Sequence, residues 1–357
     1  MSSAETLFIN KILNDALEKR ASDIHLTVGN YPVMRIGGQL VTQAGDQLIN
    51  PDIIKSLVES IIPPEDWQRL QQEHDLVTTY TWANRARFRV QIFYQKGYPA
   101  LSLRVLASTP KLPKDMGLSS VIINAVDQTK GLILVIGPYN SGRTTTVLSL
   151  VEYINQRSGK HILTLEKPVE YLLVNNKSII DQREVGKDVV SFLEGMSEAL
   201  NDDVEIVVIS QMSETGQEKA LLQLVESGKL VIAAMNGQSV ISSLEGFMSA
   251  FSPEESVWAR EVLSNNLLVA TAQRLVPKSG GGLALAYELL TINPAVKSVI
   301  RDANFYQLNN VLMTSRQDGM ISLDRHLADL VKQGVVSLED ALKAAIDPKT
   351  LQLMASK

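Results

Sequence analysis

The chain contains no cysteine, which excludes disulfide bonds, thiolate metal sites and thiol nucleophiles. Histidine is scarce as well, and none of its four residues stands at a spacing typical of metal ligands. These residues are His25, His74, His161 and His326. We therefore expect no metal ion to be held wholly by protein side chains.

Long apolar runs and an excess of basic residues are also missing. No stretch approaches the ~18 apolar residues that a membrane-spanning helix needs, and the N-terminus lacks a basic region followed by an apolar core. The net charge of −5 argues against nucleic acid as the main partner, because phosphate binding usually leaves a basic surface. The sequence therefore predicts a cytoplasmic protein without a membrane span.

The 357 residues are enough for two domains, and their composition, 45% hydrophobic and 20% charged, is typical of a globular protein. Residues 1–106 mix a helical stripe with short extended segments, which predicts a small α+β domain. The proline-containing stretch 107–118 predicts a linker. Buried-strand patterns alternate with helical ones over 119–290, which predicts a mainly parallel sheet covered by helices, and 291–357 predicts a helical extension.

The candidate strands are short segments rich in apolar and β-branched residues. In the first domain they are PVMRIGG, ARFRVQIFYQ and PALSLRVL. In the second domain they are GLILVIG, HILTL, VEIVVIS and KLVIAAM.

The stretch GPYNSGRTTT at residues 137–146 has the spacing of a phosphate-binding loop, with arginine where that motif has lysine. It stands between a buried strand and a helix, so that backbone N–H groups and the helix N-terminus favour an anion. A plain structural turn is the alternative. We predict that the loop binds nucleotide, and that Thr144 would face a weak Mg²⁺ site. The predicted nucleotide-binding residues are Gly137, Pro138, Asn140, Ser141, Gly142, Arg143, Thr144 and Thr145.

Further segments occur in a fixed order on both sides of this loop: ASDIHLTVGNYPVMRIGGQL, ARFRVQIFYQ, ILTLEKPVEY, DQREVGKDVVSF, ALNDDVEIVVISQMSE and VESGKLVIAAMNGQS. Together they resemble the type II and type IV secretion ATPases, the GspE/PilT/PilB superfamily, and within it the PilT-like retraction ATPases of type IV pili. The resemblance covers nearly the whole chain. It implies an N-terminal PAS-like domain, a RecA-like P-loop ATPase core, and a hexameric ring that binds ATP between subunits.

The resemblance also identifies departures from the family pattern. In the loop, Tyr139, Asn140 and Arg143 stand where the family has Thr, Gly and Lys. The acidic box keeps its catalytic-type glutamate, Glu166, but Lys167 replaces the next aspartate. The remaining departures are Ser210, Gln211, Ser213 and Glu214 in the Walker B segment, with Gln211 at the glutamate position, and Lys229 and Asn236 at the two His-box positions.

The family's N-domain arginines, which reach the phosphates, correspond to Arg87, Arg89 and Arg104. Simpler explanations exist for several assigned residues. Arg87 and Arg89 alternate with apolar residues and would also suit the solvated face of a strand. Glu166 would suit an ordinary strand end, and His25 a domain boundary.

The substitutions predict weak binding of ATP or ADP and impaired hydrolysis. Guanidinium is planar and wider than an ammonium group, so Arg143 binds phosphate in a different position from lysine. An amide at Gln211 does not replace a carboxylate in ordering a Mg²⁺-bound water. The changes add about two positive charges, or about three with Lys229 in place of a neutral histidine, which weakens Mg²⁺ binding.

The sequence therefore favours a degenerate PilT-like subunit with a structural or regulatory role. A slow ATPase motor for pilus retraction and a nucleotide-independent docking module are the alternatives. As partners we expect further copies in a homo-hexamer, or an intact PilT-like motor in a mixed ring. The pilus platform protein of the inner membrane is the other expected partner, and it would hold the chain peripherally at that membrane.

Overall fold

The computed structural model describes residues 3–44, 47–106 and 109–356, which form two compact units. The first unit comprises the described residues up to Thr109 together with Pro168–Leu172, and the second comprises the rest. Ala107 and Ser108, at the start of the predicted linker, lie outside the described residues. The predicted domain limits remain a prediction.

The first unit is an α+β structure. Its helices are α1 (Ser3–Glu18), α2 (Pro51–Ile61) and α3 (Pro64–Glu73). Its strands are β1 (Asp23–Leu26), β2 (Val33–Ile36), β3 (Gln39–Thr42), β4 (Asp75–Trp82), β5 (Ala86–Gln95) and β6 (Tyr98–Leu106). They form one antiparallel sheet in the order β3-β2-β1-β6-β5-β4. The predicted strand ARFRVQIFYQ is β5.

Helix α2 shows how the sequence builds this unit. Pro51 occupies its first turn, and the Asn50 side chain accepts from Ile53 N at 2.8 Å, so the helix begins with a satisfied cap. Ile54 and Leu57 are fully buried on one face of the helix. They pack in a core with α1 and the sheet. Burying such a side chain contributes about 1.5–3 kcal/mol.

The second unit contains the parallel sheet that the sequence predicts. Its strands are β7 (Gly131–Gly137), β8 (His161–Glu166), β9 (Ile179–Glu184), β10 (Ile206–Ile209), β11 (Leu230–Asn236), β12 (Leu267–Pro277) and β13 (Leu283–Thr291). The order is β13-β12-β7-β11-β10-β8-β9, and only the β12–β13 pair is antiparallel within this sheet. All seven residues of β7 are buried, as expected for a strand covered on both faces.

Helices cover the faces of this sheet. They are α4 (Ser120–Ala125), α5 (Arg143–Arg157), α6 (Phe192–Ala199), α7 (Gln217–Glu226), α8 (Val240–Ser249), α9 (Pro253–Asn266), α10 (Pro294–Arg301), α11 (Leu308–Thr314), α12 (Leu323–Lys332), α13 (Leu338–Ala344) and α14 (Pro348–Ala355). Short 3₁₀ turns span Pro113–Met116, Phe305–Gln307 and Arg316–Asp318. Leu327, Ala341 and Leu351 of the last three helices share a core with β12 and β13. No helix of the described residues is long and apolar enough to cross a membrane.

Parallel strands place their carboxyl ends at one edge of the sheet, where ligands of open α/β sheets usually bind. Here that edge carries the loop after β7, Glu166 at the end of β8, the Walker B segment after β10, and Asn236 at the end of β11. The fold thus brings together segments that are far apart in sequence.

Candidate functional site

The loop after β7 has the backbone of an anion cradle. Its turn contains two residues in the left-handed region, Asn140 with φ of +63° and Gly142 with φ of +86°. Asparagine is among the non-glycine residues that tolerate this conformation, as the sequence predicts. At Gly137 a Cβ atom would lie 2.2 Å from Ser141 Oγ and 2.8 Å from Gln273 O, so this position requires glycine.

Gln273 of β12 ties the loop to the helix that follows it. Its Nε2 donates to Ser141 O at 2.9 Å, and its Oε1 accepts from Thr146 Oγ1 at 3.0 Å. All three residues are buried. Ser141 Oγ is also buried and has no hydrogen-bond partner among the described residues. A buried polar atom without a partner is unfavourable, so a ligand or water that bonded Ser141 Oγ would be stabilised there.

The guanidinium of Arg143 binds acceptors at the ends of strands β7 and β11. Its Nη1 donates to Gly137 O at 2.5 Å, to Met235 O at 2.9 Å and to Asn236 Oδ1. Burial lowers the pKa of Arg143 from its ordinary value, although arginine stays charged in proteins. The cation that the loop motif would present to phosphates is therefore engaged by the ends of β7 and β11.

Glu166 is fully buried at the carboxyl end of β8. Its Oε1 accepts from Thr164 Oγ1 at 2.7 Å and from Gln182 Nε2 at 2.8 Å. An ordinary strand-end glutamate would face solvent, so the burial does not fit that alternative. The neighbouring Lys167 is exposed at the same edge of the sheet.

The Walker B segment is held by contacts within the protein. Gln211 Nε2 donates to Ser213 Oγ at 3.3 Å. The Glu214 carboxylate accepts from the backbone N–H groups of Phe192 and Leu193, each at 3.2 Å, at the start of α6. Negative charge is favourable at a helix N-terminus, so Glu214 stabilises α6.

The site fits a nucleotide better than it fits Mg²⁺. The phosphate cradle consists mainly of backbone, which the substitutions leave in place. Mg²⁺ instead prefers octahedral oxygen ligands that include carboxylates. Thr144 offers a half-buried hydroxyl, but residues 210–214 contain one carboxylate, that of Glu214, and it binds α6. Within the described part of the chain, no cluster of three or more His, Asp or Glu side chains is arranged to hold a metal ion.

The two His-box positions lie at opposite ends of β11. Asn236 is at the carboxyl end and accepts from Arg143. Lys229 precedes the strand and donates from Nζ to Asp202 O at 3.0 Å and Val204 O at 2.8 Å. A strand of this length separates them by about 20 Å. The expectation that Lys229 adds its charge to the site is therefore wrong, since the strand carries it to the other edge.

The three arginines that the resemblance assigns to phosphate binding belong to the first unit, and each binds another residue of that unit. Arg87 Nη2 donates to Thr79 Oγ1 at 2.9 Å and Val169 O at 2.7 Å. The other two form ion pairs: Arg89 Nη1 with Glu170 Oε1 at 2.6 Å, and Arg104 Nε with Asp23 Oδ1 at 3.0 Å. A role in phosphate binding for these arginines stays a prediction.

A cleft of about 370 Å³ opens beside the loop. One wall is the loop, including Tyr139, a residue that is 72% exposed. The other walls are the end of β12 and helix α13, with Arg274 and Lys343. Arg274 Nη2 donates to Gln238 Oε1 at 3.3 Å, and Nη1 donates to Ala344 O. The sequence analysis did not identify Arg274 or Lys343 as site residues, because neither residue lies in a recognised motif.

Comparison with known proteins gives a match over nearly the whole chain. A family model described as type II/IV secretion system protein matches residues 2–282. The type IV pilus retraction ATPase PilT of Pseudomonas aeruginosa is 30% identical over 343 residues, covering 96% of this chain and 99% of that protein. The type IV pilus ATPase PilU of the same organism is 26% identical and covers 96% and 90%.

Among solved structures, a crystal structure of the pilus retraction motor PilT with bound ADP is similar with a TM-score of 0.86. It is 34% identical, and the match covers 96% of this chain and 98% of that chain. This likeness confirms the predicted fold class: a RecA-like P-loop core, an N-terminal PAS-like α+β domain and C-terminal helices.

Proposed function

The chain belongs to the type II/IV secretion system protein family and is PilT-like, and we propose that it is a nucleotide-binding ring subunit of a type IV pilus machine with little or no ATP hydrolysis of its own. One observation carries this proposal. The guanidinium of Arg143 is engaged by Gly137 O, Met235 O and Asn236 Oδ1. The loop thus keeps its anion-binding backbone while its cation is held by protein acceptors.

The expected chemical consequence is weak binding and impaired catalysis. Backbone N–H groups of the loop bind phosphate oxygens, as they do in other phosphate-binding loops. Hydrolysis needs charge stabilisation at the transition state and an ordered water, and here Arg143 is turned away and Gln211 is an amide. Losses of this kind lower the rate more than the affinity, because they act on the transition state.

Isothermal titration with ADP and ATP, with and without Mg²⁺, tests the binding part. We expect affinities in the range of about 10 μM to 1 mM that change little with Mg²⁺. Sub-micromolar, strongly Mg²⁺-dependent ATP binding would show an intact metal site and contradict the proposal. Steady-state phosphate release by the same preparation tests the catalytic part.

The proposed partners are other ring subunits and the pilus machine. Similarity to PilT extends over 96% of this chain and is not confined to the nucleotide site, which supports conserved subunit surfaces. We propose a homo-hexamer or a mixed ring with an intact PilT-like motor, at the cytoplasmic side of the inner-membrane platform protein. Analytical ultracentrifugation of the chain alone, and with such a motor, tests this. A monomer under all conditions would refute it.

Slow ATP turnover is the second candidate function. It is favoured by Glu166, which keeps the family's carboxylate at the end of β8 and is oriented by Thr164 and Gln182. Phosphate release at about 1 s⁻¹, an ordinary enzymatic rate, would favour this candidate over the first. No binding of either nucleotide would instead favour the docking module.

A further inference from the structure

Two residues that depart from the family pattern, Arg143 and Asn236, are bonded to each other although they stand 93 positions apart. We infer that Asn236 positions Arg143 away from the ligand, so that the site takes nucleoside diphosphates and triphosphates alike. This inference rests on the proposed nucleotide binding. It states that the site does not discriminate between the two nucleotides, which the phosphate loop alone does not define.

The acceptors of Arg143 lie on two adjacent strands. Asn236 is paired in register with Gly137, and Met235 with Ile136, where β11 runs parallel to β7. Arg143 Nη1 therefore reaches across the seam between the two strands at their carboxyl ends. Nη1 carries two protons and already faces three acceptors, so a phosphate oxygen would compete for those protons.

The position of this cation decides whether the third phosphate is bound. In the usual loop, lysine reaches the β- and γ-phosphates, while backbone N–H groups cradle the α- and β-phosphates. Here the backbone contribution remains, with Asn140 and Gly142 in left-handed conformations. While Nη1 is held by Gly137 O, Met235 O and Asn236 Oδ1, the guanidinium stays anchored at the strand ends, and its contribution to a γ-phosphate is reduced. ATP and ADP are then bound through the same groups.

Asn236 is the part of this arrangement that a side-chain substitution can remove. Gly137 O and Met235 O are backbone carbonyls, whereas Asn236 Oδ1 lies on an exposed side chain. Asn236→Leu keeps a similar size and removes the acceptor. It removes one of the three acceptors of Nη1 and leaves two backbone carbonyls, so the guanidinium is held less firmly and turns more easily toward a γ-phosphate.

A double-mutant cycle separates these contributions. The parent, Arg143→Met, Asn236→Leu and the double variant are titrated calorimetrically with ADP and with ATP in the absence of Mg²⁺. Asn265→Leu is the matched control, because Asn265 is an exposed asparagine of α9 that donates to Glu261 within the same helix. Thermal unfolding verifies folding, and Arg143→Gln replaces Arg143→Met if the latter unfolds.

In the parent we expect ATP and ADP affinities within about fivefold of each other, and Arg143→Met should shift the two affinities by similar factors, so that their ratio stays within that range. Asn236→Leu should raise ATP affinity relative to ADP by more than about fivefold, and only while Arg143 is present. A parent preference for ATP above fivefold, or a loss in Arg143→Met that is more than fivefold larger for ATP than for ADP, would overturn the inference and leave nucleotide binding intact. An Asn236→Leu variant without a gain would overturn it too. A parent that binds neither nucleotide would overturn the proposed function and this inference together.

Discussion

Gln273 and Ser141 are joined by a hydrogen bond from Gln273 Nε2 to Ser141 O at 2.9 Å, inside the protein and 132 residues apart in sequence. The same amide accepts from Thr146 of α5 at 3.0 Å. One side chain of β12 thus fixes both the phosphate loop and the helix that continues it. The loop geometry depends on a strand that carries none of the recognised motifs.

The first prediction concerns this bridge. Gln273→Leu removes both hydrogen bonds and leaves a buried carbonyl and a buried hydroxyl without partners, each of which costs about 1–3 kcal/mol. We expect the free energy of unfolding to fall by roughly 2–4 kcal/mol and ADP affinity to fall with it. Denaturant unfolding and ADP titration measure these effects. Gln352→Leu, at an exposed position of α14, is the control, and equal stability of the two variants would refute the prediction.

The second prediction separates the helix-capping role of Glu214 from ligand binding. Glu214→Gln removes the negative charge that accepts from Phe192 N and Leu193 N. We expect a loss of about 0.5–1 kcal/mol of stability, because the cap and the interaction with the α6 dipole weaken. ADP affinity should stay unchanged. Exposed Glu245 supplies the control variant, Glu245→Gln, and a reduced ADP affinity in Glu214→Gln alone would assign Glu214 to the ligand site.

The third prediction concerns pH. The hydrogen bond from His161 to Asp181 raises the pKa of His161 above its ordinary 6.5. The stabilising effect of protonated His161 is therefore fully present below pH 6.5 and is lost as pH rises through the raised pKa. Denaturant unfolding of parent and His161→Gln should show a larger stability difference at about pH 5.5 than at about pH 8.5. A difference independent of pH would contradict the assignment.

His326 should behave in the opposite way. Burial lowers its pKa, and its neutral Nδ1 accepts from Tyr287 N at 3.0 Å. Its stabilising effect is present above about pH 6.5 and is lost as pH falls through the lowered pKa. His326→Asn, which keeps an acceptor, should make unfolding less sensitive to acid. A variant that retained the parent's acid sensitivity would refute this.

Some elements were predictable because their pattern is local. GLILVIG is an apolar run that ends at a glycine, and it forms β7 at the predicted residues. The parallel sheet, the loop and the helix α5 follow from such patterns. Strand β12 was not predicted, because it mixes Thr271, Gln273 and Arg274 with apolar residues and lacks a clean alternation. Strand β13 was not predicted either, although it is a nearly continuous apolar run.

The contacts of the site were less predictable than its elements. The Arg143–Asn236 bond exists because β11 lies beside β7 with Asn236 level with Gly137. The hydrogen bond from Gln273 to Ser141 of the loop likewise depends on the register of β12 against β7. Strand order and register arise from long-range packing, which a single sequence does not encode locally. The misplaced charge of Lys229 has a local origin instead, because the seven residues of β11 separate Lys229 from the carboxyl end of the strand.

The last prediction restores the family residues step by step. Arg143→Lys alone should give almost no phosphate release, because Gln211 is still an amide and Lys167 still adds positive charge. Gln211→Glu alone should fail as well, since residue 143 is still engaged at the strand ends. Groups that act together in a transition state are strongly non-additive, so single restorations report little.

The triple variant Arg143→Lys, Lys167→Asp and Gln211→Glu should release phosphate measurably, because it returns a point charge, a carboxylate and a less positive metal environment. Adding Glu166→Gln to it should abolish release, since Glu166 is the carboxylate retained at the end of β8. Steady-state release by the parent and these variants is the measurement, and the Glu166→Gln variant is the control for contaminating ATPases. If the triple variant stays inactive while binding ATP and Mg²⁺, the lesions in residues 143, 167 and 211 do not account for the impaired chemistry. If the parent alone hydrolyses ATP at about 1 s⁻¹, the chain is a working ATPase despite Arg143.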